Sequence, residues 1–326
     1  MARVPTDAPD ALRPRLGLGL AALGRPAYVT GGRADDLGAG RSVEAMRART
    51  HEMLDLALAR GVRYLDAARS YGLAEQFLSD WLAGRPDVDD VVVASKWGYT
   101  YVGDWRTDVA VHEVKDHSLA AFERQRRETS ALLGERLSLY SIHSVTPQSP
   151  VLDDHTVLAE LARWSAEVGV RIGLSTSGPH QADVVMRALR TQVDGRALFS
   201  AVQATWNVLE PSAGAALQRA HEAGWLVVVK EAVANGRLAG DEAPGALRAA
   251  ADEVGATPDA LAVAIVLAQP WAPTVLSGAV TPQQLDSNLA SSRVPSSTAL
   301  AAAHDLSPLA EDPATYWRTR SERPWA

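Results

Sequence analysis

Residues 62–72 read Val62-Arg63-Tyr64-Leu65-Asp66-Ala67-Ala68-Arg69-Ser70-Tyr71-Gly72. A short apolar run ends on an acid, crosses small residues and closes on a tyrosine and a glycine. The run lacks the polar–apolar alternation of a half-exposed strand, so Val62–Asp66 is expected to be a strand buried on both faces. The helical pattern before it, Ser42–Arg60, places Met46, Met53, Leu54 and Leu58 on one face and stops at Gly61. Helix, buried strand and polar strand end together form one βα unit of a parallel sheet.

The same unit recurs along the chain. Further strands are expected at Arg15–Leu20, Val91–Ser95, Leu137–Ile142, Val170–Leu174, Phe199–Ala204, Leu226–Lys230 and Thr274–Ser277. Helical patterns lie between them at Leu119–Leu133, His155–Val168, Pro179–Leu189, Ala213–Ala223, Asp259–Ala268 and Pro282–Ala290. Thr281-Pro282 with Gln284 has the cap, first-position proline and capping-box partner of a helix start. Eight such units with no composition break predict an α/β fold, a (β/α)8 barrel of the TIM type over residues 15–326, preceded by a polar tail over 1–14. A doubly wound open sheet is the second choice. The longest connections follow the third strand (Trp97 to Ser118) and the fourth (Ser144 to Asp154), where such barrels carry their active sites.

Composition narrows the chemistry. The chain has 326 residues, no cysteine, 32 Lys+Arg and 39 Asp+Glu, for a net charge of −7. Disulfides, thiolate metal sites and cysteine nucleophiles are thereby excluded. The acidic balance argues against a nucleic-acid or anionic-membrane partner. No apolar run approaches the ~20 residues of a membrane helix, and the first fourteen residues lack a signal-peptide core, so a cytoplasmic location is expected. The oligomeric state is not legible. Only three of the basic residues are lysine, namely Lys96, Lys115 and Lys230, which makes each of them informative.

In a barrel, polar residues at strand C-termini are the first candidates for chemistry. Strand two ends at Asp66 and leads to Tyr71, strand three ends at Lys96, and strand four ends at His143. Singly, each has an ordinary explanation: a helix cap, a packing ring, a rim charge, a hydrogen-bonded core histidine. Together they form a coherent proton-transfer group. A phenol titrates near 10 in water, and a buried ammonium beside it favours the phenolate. A carboxylate fixes the lysine, and a histidine orients the same substrate oxygen.

In order and spacing these residues resemble the aldo-keto reductase family from about Leu16 to Ser292. The stretches that carry the resemblance are Leu16-Gly17-Leu18-Gly19, residues 64–72, Ala94-Ser95-Lys96, Leu137–His143, Gly173-Leu174-Ser175, Gln203–Asn207 and Gly278-Ala279 to Asn288. The resemblance implies Tyr71 as general acid/base, tuned by Lys96 and Asp66, with His143 orienting a carbonyl. It implies an NAD(P)-dependent carbonyl reductase or alcohol dehydrogenase with a small carbonyl or alcohol substrate, and a nicotinamide cofactor across the barrel rim. The cofactor would lie against Gly19, Ser175, Thr176, Gln203, Lys230, Glu231, Asn235, Leu238, Gly278, Ala279, Gln284 and Asn288. Trp97 and Trp206 are expected in the substrate pocket. No metal is expected, and His112 and His117 are expected at the surface.

Three positions depart from the family pattern. Thr176 replaces an asparagine, and Lys230 stands where an aromatic ring usually stacks on the nicotinamide. Lys230 can pair with Glu231 or Asp66, or turn to phosphate or substrate while Trp206 supplies the stacking. The segment after strand eight has no Lys or Arg between Arg248 and Arg293 to hold the 2′-phosphate of NADP, so NADP and NAD both remain open. Two other readings stand beside the redox one: a lyase or isomerase using Tyr71 and Lys96 for proton transfer alone, and a non-catalytic regulatory barrel.

Overall fold

A computed structural model of the protein describes residues 16–29, 36, 37 and 40–325. The expected tail over 1–14 and Arg15 lie outside the described residues. Eight parallel strands close into a barrel: β1 (Leu16–Gly19), β2 (Tyr64–Asp66), β3 (Val92–Trp97), β4 (Leu137–Val145), β5 (Arg171–Thr176), β6 (Ala201–Thr205), β7 (Leu226–Lys230) and β8 (Thr274–Ser277). Each strand pairs with its neighbours in sequence, and β1 closes the ring on β8. The open-sheet alternative is thereby excluded.

Helices cover the outside: α1 (Val43–Ala59), α2 (Ala74–Ala83), α3 (Leu119–Leu133), α4 (His155–Val168), α5 (Gln181–Ala188), α6 (Gly214–Glu222), α7 (Gly245–Glu253), α8 (Pro258–Leu267), α9 (Pro282–Leu289), α10 (Ser296–Asp305) and α11 (Pro313–Glu322). The sequence patterns pass over α2. Leu73 stands at its N-cap and makes no side-chain cap bond, so the usual start signal is missing. They also pass over α7, α10 and α11. Two short antiparallel hairpins, 99–101 with 113–115 and 192–193 with 196–197, lie outside the barrel.

The pleat sorts the side chains into layers. Tyr64, Ala94, Leu139, Ala201 and Val228 pack together as a small cluster separate from the main core. Two residues further along four of these strands stand Asp66, Lys96, Gln203 and Lys230. Period-two alternation sends those side chains to the same inner face, one layer nearer the C-terminal rim. The barrel interior is therefore an apolar plug with a polar layer on top of it. The intervening residues Leu65, Val202 and Val229 join the larger core under the helices.

One contact locks the loop after β1 against the turn after β2. Leu73 N–H donates to the Gly24 carbonyl at 2.8 Å. A Cβ on Gly24 would stand 2.3 Å from the Tyr71 carbonyl oxygen and 2.4 Å from Ala74 Cβ. Both neighbours are backbone or first side-chain atoms, so neither can swing aside. Gly24→Ala is expected to destabilise the fold by about 1–3 kcal/mol through overpacking. Urea denaturation measures this, and a midpoint equal to wild type would refute the close approach.

Candidate active site

The inner layer brings four candidates together. Lys96, 1% exposed, donates from Nζ to Asp66 Oδ2 at 2.5 Å, to the Ala67 carbonyl at 2.9 Å and to Tyr71 Oη at 3.4 Å. Asp66 Oδ1 accepts from Gln203 Nε2 at 3.0 Å. Tyr71 is held by the tight turn Ala68–Tyr71, with its N–H on the Ala68 carbonyl. Its ring meets His143 edge to face, centroids 5.5 Å apart.

His143 lies at an irregularity in β4. The β4–β5 register shifts between Ile142 and Val145, and Ser144 takes a φ of 50°. In that conformation Ser144 N–H donates to Ser175 Oγ at 2.8 Å. A non-glycine residue in the left-handed region costs energy and is commonly found where a functional group must be aimed. His143 Nδ1 lies 3.4 Å from Ser70 Oγ, and its carbonyl accepts from His117 Nε2 at 2.9 Å.

Electrostatics divide the roles. Burial, with Lys96, Arg25 and Lys230 nearby, drives the His143 imidazole well below its usual range, so the ring is neutral near pH 7. Burial, reinforced by the Asp66 carboxylate, pushes the Tyr71 phenol well above 10. The sequence leads to the opposite expectation for Tyr71, that the ammonium lowers its pKa. The reason is burial: taking the phenol out of water disfavours its charged form, and the Asp66 carboxylate adds to that.

A cavity of about 420 Å³ runs over this group. Asp66, Tyr71 and Gln203 line it. So do Gly19, Lys230, Glu231, Asn235, Gly278, Ala279, Gln284 and Asn288, with Tyr28 and Asp36. Ser175, Thr176 and Leu238 do not. Thr176 is fully buried, with Oγ1 turned to Gln181 Oε1 on α5 at 3.3 Å. The two tryptophans expected in the substrate pocket do not line this cavity either. Trp97 follows inward-facing Lys96, so the pleat turns it out against Phe122 of α3, centroids 5.0 Å apart. Trp206 packs edge-on to Trp271 and donates to the Pro211 carbonyl at 3.1 Å.

Lys230 lines the cavity and makes neither an Asp66 pair nor a stack. Its Nζ donates to Thr205 Oγ1 at 2.9 Å and stands 3.6 Å from Glu231 Oε1. Glu231, φ 57°, is held by Arg320 of α11 through three hydrogen bonds of 2.5–3.0 Å. Asn207 Nδ2 donates to the Glu231 carbonyl and to Tyr316 Oη. Arg237 and Arg323 pair with Glu311 and Glu242. The C-terminal segment is thus clamped to the loop after β7.

His112 and His117 are buried rather than at the surface. His112 stacks on Trp325, 4.4 Å between centroids and 5° between planes. Trp325 also faces Arg25, whose guanidinium lies 4.7 Å from its ring centroid and 5.1 Å from that of Tyr71. Arg25 pairs with Glu113 at 2.9 Å. This cluster of Arg25, Tyr28, His112 and Trp325 is not signalled by the sequence patterns. The available signal is the aromatic and basic run Tyr316-Trp317-Arg318 to Trp325 in an otherwise acidic chain. Among the described residues no group of His, Asp and Glu is placed to hold a metal ion, and no helix is long and apolar enough to cross a membrane.

The cavity suits an extended polar ligand such as a nicotinamide dinucleotide. Asn235 Nδ2 lies buried without a hydrogen-bond partner on the cavity wall, and such a donor is expected to find one in a ligand. Gly278 has no atom within 4 Å of where a Cβ would project, which leaves open space beside the N-terminus of α9.

The family model for the aldo/keto reductase family matches residues 15–305. Among solved structures, the chain resembles an aldo-keto reductase from Bacillus halodurans in its holo form, with a TM-score of 0.68 and 22% identity over 91% of this chain and 92% of that one. It also resembles the glycerol dehydrogenase of Gluconobacter oxydans, with a TM-score of 0.64 and 22% identity over 90% of each chain. No curated protein sequence matches it.

Arg320 is expected to carry much of the stability of this clamp. Its guanidinium holds the Glu231 carboxyl down to about 2, from 4.5. Stability from a depressed carboxyl is fully present above pH 4.5 and is lost as pH falls towards about 2. Arg320→Met leaves Glu231 with the looser Lys230 contact and the Thr205 hydroxyl and is expected to cost about 1–3 kcal/mol near pH 7. The deficit should shrink as the pH falls and Glu231 gains a proton in the variant. Denaturation midpoints at pH 7, 5 and 3.5 test this, and a deficit that stays constant would refute the assignment.

Proposed function

The chain belongs to the aldo/keto reductase family and is an oxidoreductase, and from that premise we propose that it interconverts a carbonyl compound and its alcohol with NAD(P), using Tyr71 as the general acid/base. The observation that carries this reading is the placement of Lys96 Nζ, 2.5 Å from Asp66 and 3.4 Å from the hydroxyl of Tyr71, a residue on the cavity wall.

Hydride is what a nicotinamide group supplies when bound; the rest falls to the protein. A phenol whose pKa is raised by burial holds its proton near neutrality and is a donor at rest. As negative charge develops on a carbonyl oxygen, Tyr71 gives up its proton to it. The phenolate left behind is stabilised by the Lys96 ammonium, and Asp66 holds that ammonium in place. A neutral His143 is not the acid under these conditions, but its imidazole can hydrogen-bond the same oxygen and set its angle. In the oxidative direction the same groups act in reverse.

The residues toward the cofactor fit the proposal. Asn235 offers its unpartnered amide, and the loop after β8 offers backbone at Gly278 and Ala279. This buried amide favours the redox reading over proton transfer alone, which needs no extended ligand. The Gln284 end of the cavity is acidic. Gln284 Nε2 donates to Asp36 Oδ2 at 2.7 Å, and Asp36 and Asp259 both line the wall. Arg49 reaches this end with Nη1 on the Asp36 and Val280 carbonyls at 3.3 Å. Two carboxylates there oppose a 2′-phosphate dianion. We therefore propose that NADH binds at least as tightly as NADPH.

Titrations followed by nicotinamide fluorescence test the cofactor reading. Binding of NADH at or below the Kd of NADPH is expected, and no binding of either would overturn the redox proposal. Tyr71→Phe is expected to keep nucleotide affinity while lowering kcat by about 10²–10⁴-fold, the usual worth of a positioned acid. Turnover equal to wild type with the same carbonyl substrate would remove Tyr71 from the mechanism.

A further inference from the structure

At the end of β7 two cations, Lys230 and Arg320, share a single carboxylate, that of Glu231. Lys230, Glu231 and Arg320 form one cluster at the cavity wall, two cations to one carboxylate. Glu231 is engaged by Arg320 through three hydrogen bonds of 3.0, 2.9 and 2.5 Å. Lys230 forms the looser ion pair with it, 3.6 Å from Nζ to Oε1, as one of the sequence alternatives expects. Thr205 links the two weakly, accepting from Lys230 at 2.9 Å and donating to Glu231 Oε2 at 3.2 Å. The remaining contact of Lys230 is the face of Trp317, 5.6 Å from Nζ to the ring centroid.

The other two lysines differ in this respect. Lys96 is saturated by Asp66, the Ala67 carbonyl and Tyr71. Lys115 donates to the Ser144 carbonyl and to Ser149 Oγ. An ammonium has three N–H donors, and Lys230 uses one of them in a hydrogen bond to the protein. Its side chain is 16% exposed and lines the cavity that also contains Tyr71. The neighbouring carboxylate, Asp66, is already committed to Lys96 and Gln203. Leaving a buried cation undercompensated is costly, and an anion in the cavity removes that cost.

We infer that Lys230 is an anion-binding group of the cavity, taking a carboxylate or phosphate oxygen of the bound ligand. The inference goes beyond the redox reading and does not depend on it, because the charge balance is the same whatever reaction follows. Burial pushes the Lys230 ammonium down to about 8, with Arg320 and Lys96 adding to the shift against the opposing pull of Glu231. An anion at Nζ would raise it.

Two sources can supply the anion: the phosphates of a dinucleotide, or a carboxylate on the substrate. Wild type, Lys230→Met and Lys230→Gln are titrated, with tryptophan fluorescence as the readout. The probes are ADP-ribose, which has the phosphates without nicotinamide, and glyoxylate with its neutral counterpart glycolaldehyde. A loss of tenfold or more in ADP-ribose affinity in both variants assigns the site to nucleotide phosphate. A tenfold loss confined to glyoxylate, with glycolaldehyde unchanged, assigns it to a substrate carboxylate. Equal affinities for both anionic probes in wild type and both variants, or no binding of either to wild type, overturns the inference. Nucleotide-dependent turnover is scored separately: its absence alongside a positive titration would remove the redox reading and leave the anion site standing.

Discussion

An ammonium group inside the barrel sets the terms for the site. Lys96 is almost wholly buried, and a cation there is tolerable only where its charge is met. Asp66 meets it at 2.5 Å on the neighbouring strand, and that pairing is available because β2 and β3 are in register, Asp66 opposite Ala94. The third contact of the ammonium, at 3.4 Å, is the Tyr71 hydroxyl. Gln203, from the far side of the barrel, holds the other oxygen of Asp66. One buried charge thus ties β2, β3, β6 and the turn after β2 into a single arrangement, and the phenol is positioned as a consequence.

The same charge balance underlies the proposal that Tyr71 is the acid. With Lys96 paired, burial dominates at both Tyr71 and His143 and drives their pKa values apart, the phenol up and the imidazole down. Both groups are then neutral near pH 7, and of the two it is the phenol that stands beside a cation able to stabilise its conjugate base. A free ammonium would have made Tyr71 more acidic at rest but would have left an unmatched charge beneath the cavity. Burial keeps the phenol protonated at rest, and the nearby ammonium offsets part of the cost of its deprotonation.

The barrel and the inner layer were legible from the chain because both follow from the pleat. Apolar runs buried on both faces gave the eight strands, and polar residues at their ends gave Asp66, Lys96, His143 and the turn to Tyr71. Side-chain facing was harder to read. Trp97 is adjacent to Lys96 in sequence, and adjacency in a strand means opposite faces, so it lies under α3. Long-range contacts were beyond the patterns altogether. Nothing local to Glu231 announces Arg320, 89 positions away, and nothing local to His112 announces Trp325. The helices that escaped notice fail in a similar way: α2 begins without a capping side chain, and α10 and α11 follow the last barrel strand, where no further βα unit calls for them.

Lys230 shows where sequence reading and structure complement each other. The chain alone marks it as unusual, a scarce lysine at a strand end where the resembling family places an aromatic ring. It cannot say whether the charge is neutralised, because the answer depends on a residue in the last helix. That residue is Arg320, a competitor for Glu231 rather than a partner for Lys230. A single carboxylate beside two cations satisfies the one with the better geometry, and a guanidinium fork on a carboxylate outcompetes an ammonium. What remains at the cavity wall is a lysine held by a hydroxyl, an indole face and the looser side of a shared carboxylate.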